Sequence, residues 1–275
     1  MKKIIASTAI LCALSPLFVL AAITDNIQGS WKFDESSGNG SDATANANNL
    51  TNNATVTYSA GKINNGANFV RASSQYFSIT NAAQTGLGLN SNYTFAGWVK
   101  FATIPSSGQY YEILRKWYSG VNTNPGPSFT FQNPSGTTQL QIGYGEPDVS
   151  GNDQVYAHVN WSPSTGVWYF LASTLHPSDN TVGLYINGVS QSITYSNSGT
   201  TAHAIGTNTS PFTFGTYYSG GSTGNFLDGS LDDWSVWTRV LSGAEITTLY
   251  NSGTGLQYPF TVATVTFPFY WNMDF

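Results

Sequence analysis

Short runs of β-branched and aromatic residues recur along the chain, and turn-forming residues separate one run from the next. Examples are YTFAGWVKF at 93–101, VWYFLASTL at 167–175 and TVGLYING at 181–188. No long stretch shows the 3.6-residue periodicity of a helix. The pattern predicts an all-β protein built as a two-sheet antiparallel jelly-roll sandwich.

Two turn signals order part of this sandwich. HPSDN at 176–180 and the pair Asn187-Gly188 are typical of hairpin turns. They predict that WYFLASTL, TVGLYI and SQSITY form a three-stranded meander.

One helix is predicted near the C-terminal end, directly after a strand at 231–237. Ser242 and Glu245 have the spacing of a capping box, and Leu241 and Ile246 have that of a hydrophobic staple. The helix is therefore expected from Gly243 to Tyr250, closed by Asn251 and Gly253.

The strand before this helix begins with two adjacent carboxylates. Period-two alternation places Asp232 on the face of Trp234 and Val236, and Asp233 on the opposite face. If either face is core, one carboxylate points inward and requires a cation or several N–H donors. Asp233 is expected to be the solvated member of the pair.

The first 22 residues are interpreted as a secretory signal peptide. Lys2 and Lys3 precede an apolar stretch from Ile4 to Leu20, and small residues follow. An uncleaved membrane anchor is the alternative, which Pro16 disfavours. With the leader removed, we expect a secreted or cell-surface protein without a transmembrane span.

Charge and cysteine content narrow the class of function. Charged residues make up only 8% of the chain, and removal of Lys2 and Lys3 leaves seven basic against 14 acidic residues, a net charge of −7. This sign argues against nucleic acid and anionic membranes as partners. The one cysteine, Cys12, lies in the leader, so disulfides and thiolate metal sites are not expected in the mature chain.

Two segments do not follow the strand pattern. Residues 36–57 are dense in Asn, Ser, Gly and Ala, which is typical either of disorder or of an Ω-like loop lying across a sandwich. Residues 258–275 form a separate tail that predicts one amphipathic edge strand. Its assembly face would consist of Phe267, Phe269, Trp271, Met273 and Phe275. Docking onto a neighbouring molecule and folding back onto the same sandwich both remain open.

Several motifs in order resemble a known family. GSWKFDESSGNGSDATANANNL, GKINNGANFV, YTFAGWVKF, WYFLASTL followed by VGLYINGV, and DGSLDDWSVWTRVLSGAEITTLYNSG resemble concanavalin A-like, laminin-G-like (pentraxin-type) jelly-roll domains of bacterial surface proteins. The resemblance extends from Gly29 to Gly253 and implies one domain over residues 23–257. It also implies that the first and last strands are adjacent.

The resemblance further implies a structural calcium ion between the 36–57 loop and the last strand. Asp42 matches the acid of the family's loop motif, Asp232 matches the first acid of the closing strand, and Asp34 lies beside the first strand. Carboxylates, backbone carbonyls and water suit Ca²⁺. The alternative is that Asp232 accepts backbone N–H groups or is solvated at a frayed strand end.

Catalytic patterns are weak, so no enzyme is predicted. Glu146 and Asp148 have E-x-D spacing, but Pro147 interrupts the strand and Gly151 stands where hydrolase relatives need a third acid. The three histidines lack zinc-site spacing. A hydrolase remains only a distant alternative.

Binding is the function that the residues favour. Candidate ligand-contacting residues lie at three strand ends or loops: Tyr110, Tyr111, Trp117 and Tyr118; Tyr144, Glu146 and Asp148; and Tyr217 with Tyr218. Aromatic rings beside polar acceptors are typical of sugar sites, although any of these rings could instead belong to the core. We expect a secreted, non-catalytic recognition domain for glycan or another polymer. The alternative is a structural subunit of a surface layer, fibre or appendage that assembles through its C-terminal strand.

Overall fold

Two antiparallel eight-stranded sheets form the described part of the protein. The computed structural model describes residues 22–116, 126–145, 154–179, 181–198 and 209–261. The first sheet has the order β13-β12-β11-β6-β18-β4-β3, with β1 also paired to β18. Its strands are β1 (Ile27–Trp31), β3 (Thr57–Ala60), β4 (Asn65–Phe69), β6 (Tyr93–Phe101), β11 (Trp168–His176), β12 (Thr181–Ile186), β13 (Val189–Ser190) and β18 (Gly229–Trp237).

The second sheet has the order β14-β10-β9-β8-β7-β15-β5-β2. Its strands are β2 (Thr51–Asn53), β5 (Tyr76–Ile79), β7 (Gln109–Arg115), β8 (Ser128–Asn133), β9 (Gln139–Gly145), β10 (Gln154–Asn160), β14 (Thr194–Ser198) and β15 (Phe212–Phe214). The hairpin β16 (Tyr217–Ser219) and β17 (Ser222–Gly224) forms a separate ribbon. The predicted two-sheet jelly roll is confirmed.

The helical elements are short. They comprise α1 (Gly243–Tyr250) and the 3₁₀ turns Arg71–Ser73, Asn81–Ala83, Pro177–Asp179 and Asn251–Gly253. No helix within the described segments has the length and apolar character needed to cross a membrane.

The main core lies between the two sheets, and strand alternation explains how it forms. On β8, Phe129 and Phe131 point into this core, while Ser128 and Thr130 alternate with them and face outward. Residues with opposite polarity at period two must point to opposite faces of the sheet. The second sheet therefore has an apolar inner face and a polar outer face.

The first and last strands close the first sheet, as the family resemblance implied. Strand β1 pairs antiparallel with β18, with Trp31 opposite Trp234. The free edge of β1 is covered by the 36–57 loop: the Ser30 amide donates to Asp42 Oδ1, and the Asn48 side chain donates to the Gln28 carbonyl. Covering an edge strand satisfies its backbone groups and blocks pairing with another chain. The Asn-rich segment is thus an ordered loop rather than a disordered one.

A β-bulge changes which side chains of β18 share a face, so the predicted faces were wrong. The register of β18 against β6 shifts between Asp232 and Ser235, and Asp233 adopts a left-handed backbone with φ of 47°. Leu231 and Trp234 consequently share the sandwich core, although simple alternation assigned them to opposite faces. Asp232 does not share a face with Trp234. It lies opposite Trp98 on the outer face of the first sheet.

A second core lies on that outer face, where α1 packs against the first sheet. Leu241, Ile246 and Leu249 join Trp98, Phe170 and Trp237 in this helix-covered core. The helix begins and ends at the predicted residues, and the capping box between Ser242 and Glu245 is formed. Phe260, from the segment assigned to the tail, stacks on Trp237 with ring centroids 5.8 Å apart.

Of the predicted three-stranded meander, both turns and the first two strands are correct. Strands β11, β12 and β13 pair in sequence, with turns at Pro177–Asp179 and 187–188. The third predicted strand does not continue along this sheet. After Ser190 the chain crosses to the second sheet, where β14 pairs with β10. Tertiary packing, rather than the local turn, sets this crossover.

Candidate functional site: a polar groove and a carboxylate cluster

A polar groove lies on the outer face of the second sheet, with a volume of about 350 Å³. Alternation on β7, β8 and β9 places the polar side chains of these strands on this face. We call it the sheet-two groove. Its lining consists of Tyr110, Glu112, Arg115, Ser128, Thr130, Gln132, Gln141, Tyr156 and Asn225.

An ion pair occupies the floor of the groove. The Glu112 side chain is 2% exposed, and its Oε1 lies 2.7 Å from Arg115 Nη1. Thr130 Oγ1 donates to Glu112 Oε2 at 2.8 Å, and the Asn225 amide donates to Oε1 at 3.5 Å. A buried carboxylate needs such partners to offset its lost hydration. The floor is therefore neutral overall and densely hydrogen-bonded.

Tyrosine rings flank this floor. Tyr110 and Tyr156 line the groove, and the Arg115 guanidinium lies 5.8 Å from the Tyr217 ring. Tyr217 and Tyr218 are both half-buried on β16, but Tyr218 is not part of the lining. Of the predicted binding residues, the structure brings Tyr110 to the groove and Tyr217 next to it.

Two predicted binding tyrosines belong to the core instead. Tyr144 is fully buried between the sheets, and Tyr111 is 2% exposed. Both positions point inward because their strands alternate in phase with apolar neighbours such as Leu140 and Ile142. These assignments were wrong.

Other predicted residues lie outside the described residues. They are Trp117, Tyr118, Glu146 and Asp148, the tail positions Phe267, Phe269, Trp271, Met273 and Phe275, and the leader up to residue 21.

Most residues of the groove were not predicted from the sequence. Glu112, Thr130 and Gln132 were not selected, although SFTFQ at 128–132 alternates strictly between polar and apolar residues. Read as a strand, this pattern predicts that Ser128, Thr130 and Gln132 share one outward face. The signal was present, but the emphasis on aromatic residues concealed it.

A second notable site is a cluster of carboxylates beside the first-sheet turn at 61–64. Asp232 is fully buried, and its Oδ2 accepts the Lys62 amide at 2.6 Å and the Ile63 amide at 2.9 Å. Gly61 is required here because a Cβ at this position would lie 2.5 Å from Asp232 Oδ2. The turn therefore satisfies one oxygen of Asp232 through its backbone.

Asp34 and Asp233 adjoin Asp232. Asp34 accepts the Asn65 amide at 3.2 Å and the Gln257 side chain at 2.8 Å. Two buried oxygens, Asp232 Oδ1 and Asp233 Oδ2, have no hydrogen-bond partner. Asp233 is half-buried, so the expectation that it is solvated was wrong.

Burial and mutual repulsion disfavour ionisation of this cluster. Burial, followed by the charge of Asp233, raises the pKa of Asp232 well above its ordinary value, despite the two backbone hydrogen bonds. Burial also raises the pKa of Asp233, and the charge of Asp34 raises it further. A bound cation would relieve both effects.

Asp42 is separate from this cluster. Its Oδ1 accepts the Ser30 and Thr44 amides, and its Oδ2 accepts the Thr44 hydroxyl and the Asn48 amide, all at 2.8–2.9 Å. These four bonds use the acceptor capacity of the carboxylate. Asp42 organises the loop and has no free oxygen for a metal ion, so its predicted role as a ligand is wrong.

The donor set of the cluster fits a hard cation only in part. Asp34, Asp232 and Asp233 supply oxygens, and two of these oxygens are buried without partners. Across the described ranges, however, no group of three or more acidic, histidine or cysteine side chains is arranged so that it could hold a metal ion. Backbone carbonyls and water would have to complete the six to eight oxygens that Ca²⁺ takes.

Known structures show the same fold at low sequence identity. The binding domain of Paraclostridial Mosquitocidal Protein 1 aligns with a TM-score of 0.61 and 16% identity over 84% of this chain and 53% of that chain. A structure of botulinum neurotoxin type C, whose cell entry depends on interaction with two ganglioside molecules, aligns with a TM-score of 0.62 and 13% identity. The alignment covers 84% of this chain and 52% of that chain. The chain therefore spans about half the length of these toxin structures.

A third structure matches over nearly its whole length. It is domain 4 of AbnA, a GH43 extracellular arabinanase from Geobacillus stearothermophilus, in complex with arabinotriose. The TM-score is 0.56 at 19% identity, over 81% of this chain and 97% of that domain. No curated protein matches the sequence.

A match to a family model identifies the family of this chain. The model of the concanavalin A-like lectin/glucanases superfamily matches residues 71–247, which include most strands of both sheets. Together with the jelly-roll topology, this match shows that the chain belongs to the concanavalin A-like lectin/glucanases superfamily.

Proposed function

We propose that this protein is an extracytoplasmic, non-catalytic recognition domain that binds glycan through the sheet-two groove. The observation that carries the proposal is the lining of the groove, where amide and hydroxyl groups from the adjacent strands β8 and β9 lie between Tyr110 and Tyr156. Sugar hydroxyls pair with such groups, and tyrosine rings stack on sugar C–H faces.

The absence of a second acid in the described lining supports a binding role. Glycoside hydrolysis uses two carboxylates about 5–10 Å apart. Glu112 is the one carboxylate among the described lining residues, and Arg115, Thr130 and Asn225 occupy its oxygens. A residue held in this way is suited to organising the groove rather than to proton transfer.

The structural neighbours are consistent with this proposal. Cell entry of the matched neurotoxin depends on interaction with two ganglioside molecules, and the arabinanase domain was solved with arabinotriose. Since these proteins share less than a fifth of their residues with this chain, they support a class of ligand and no particular sugar.

A glycan array probed with the purified protein tests this function. We expect selective binding that Thr130→Val and Tyr110→Ala weaken at least tenfold. Thr57→Ala, on an exposed position of the other sheet, serves as the control and should bind normally. An array without any bound glycan, measured on protein with a cooperative unfolding transition, would contradict the proposal.

We further propose that Asp232 and Asp233, completed by backbone carbonyls and water, hold a structural Ca²⁺. The support comes from the two unpartnered buried oxygens and from the raised pKa values of Asp232 and Asp233. When bound, the ion would supply positive charge and would have a structural role only. It would hold the last strand against the turn at 61–64.

Thermal unfolding in EDTA and in millimolar calcium tests the metal site. Ca²⁺ at 100 times its Kd adds about 2.7 kcal/mol to the free energy of unfolding. We expect an upward shift in Tm that Asp233→Asn removes and that Asp42→Asn, a chemically matched control, retains. A wild-type Tm that calcium leaves unchanged would refute the site.

A further inference from the structure

We infer that the sheet-two groove selects uncharged sugars and rejects acidic ones. This inference rests on the proposed function and specifies the class of glycan. The feature that sets the selection is the buried ion pair of Glu112 and Arg115.

The described lining of the groove carries no net charge. Glu112 and Arg115 are the charged groups among the described lining residues, and they lie 2.7 Å apart. A sugar carboxylate at Arg115 would share one guanidinium with Glu112. One negative charge would then lie uncompensated beside the buried Glu112, which is strongly unfavourable.

Arg115 is also held on its other side. Its side chain is 18% exposed, and its guanidinium lies 5.8 Å from the Tyr217 ring. A guanidinium fixed between a carboxylate and a ring has little freedom to turn towards a new anion. Arg115 can donate to a sugar hydroxyl in place, but it cannot serve as a free cationic anchor.

The remaining polar groups suit hydroxyl ligands. Gln132 and Gln141 each carry both a donor and an acceptor, and a sugar hydroxyl likewise both donates and accepts. A carboxylate only accepts, so it can use the amide N–H groups but leaves the amide oxygens of the groove without a donor. The net charge of −5 on the whole chain adds a long-range repulsion of acidic polymers.

Matched glycan pairs test the selection. The probes are lactose-terminated glycans and the same glycans carrying one sialic acid, together with glucose oligomers and the corresponding glucuronic acid oligomers. We expect the wild-type protein to bind at least one neutral member at least tenfold more tightly than its acidic partner.

Two variants test whether the ion pair causes the preference. Glu112→Gln keeps the shape of the side chain but leaves the Arg115 charge uncompensated, and we expect the acidic-to-neutral affinity ratio to rise at least tenfold. The double variant Glu112→Gln with Arg115→Gln is neutral again, and we expect the neutral preference to return. Circular dichroism melting identifies any variant that fails to fold. The comparison of neutral and acidic glycans on the wild-type protein does not depend on these variants.

The outcomes separate the two proposals. Equal or tighter wild-type binding to the acidic members would overturn the selection while leaving glycan binding intact. A folded Glu112→Gln protein with an unchanged ratio would overturn the role of the ion pair. Binding to no member of a broad array would overturn the proposed function and the inference with it.

Discussion

The backbone amide of Lys62 lies 2.6 Å from Asp232 Oδ2, which joins the turn between β3 and β4 to a carboxylate 170 residues later in the chain. Because the Ile63 amide reaches the same oxygen, the turn forms a small anion-binding cradle. The other oxygen of Asp232 has no partner, so the cradle neutralises this carboxylate only in part.

Replacing Gly61 with alanine should destabilise this cradle. The new Cβ would lie 2.3 Å from the Asn65 carbonyl oxygen and 2.5 Å from Asp232 Oδ2, so the turn must move. We expect the free energy of unfolding in urea to fall by about 1–3 kcal/mol. Gly88→Ala is the control, because its nearest atom would be 3.8 Å away. Equal stability of the two variants would contradict the geometry.

Asp42→Ala should lower stability without changing the response to calcium. The substitution removes an acceptor shared by the amides of Ser30, Thr44 and Asn48, and we expect a loss of about 1–3 kcal/mol in urea unfolding. Ser41→Ala, on an exposed neighbour, should change stability by less than about 0.5 kcal/mol. If Asp42→Ala abolished the calcium-dependent Tm shift, Asp42 would have to be reinstated as a ligand.

Substitutions at two tyrosines distinguish a ring that contacts ligand from a ring that packs in the core. Tyr110→Ala should weaken glycan binding at least tenfold with little change in Tm, because the ring lines an open groove. Tyr144→Phe should leave binding unchanged, because this ring is fully buried between the sheets. Isothermal titration of both variants with the same oligosaccharide decides the matter, and the reverse pattern would mean that the groove is not the binding site.

The capping box of α1 should contribute measurably to stability. Ser242 Oγ accepts the Glu245 amide, and the Glu245 carboxylate accepts the Ser242 amide at 2.7 Å. Ser242→Ala should cost about 1 kcal/mol in chemical denaturation. The half-buried helical residue Thr248 provides the comparison, since Thr248→Ala removes only a hydroxyl bonded to the preceding turn. A cost no larger than that of Thr248→Ala would argue against the cap.

Lys116 should make stability rise at alkaline pH. Burial lowers the pKa of Lys116 from 10.5 to about 8, so the folded protein binds its proton less tightly than the unfolded chain does. This contribution is complete above the unfolded pKa and is lost as pH falls through about 8.

The difference between wild type and Lys116→Met isolates this effect. Between pH 8 and pH 10, the free energy of unfolding of the wild type should increase relative to the variant by more than about 1 kcal/mol. Urea unfolding at unit pH steps measures the difference. A flat difference would mean that the Lys116 ammonium is as well solvated in the fold as in the unfolded chain.

Some features of this protein follow from the sequence because they depend on neighbours in the chain. The capping residues Ser242 and Glu245 define α1 to the residue, and the alternation of strands such as β6 and β11 predicts a two-sheet sandwich. The outward face of β8 could have been predicted in the same way from SFTFQ. In each case the determining contacts lie within about four residues, or repeat at a fixed period.

The sites required the tertiary structure. The bulge at Asp233 moved Asp232 to the outer face, and Gln257 came to bond Asp34 across 223 residues of sequence. The inward position of Tyr144, and the pairing of Glu112 with Thr130 across two strands, likewise depend on how the sheets stack and register. The sequence by itself determined which local elements form. Packing between distant segments decided which side chains meet, because no short-range pattern records the register shift of a bulge or the partner of a buried charge.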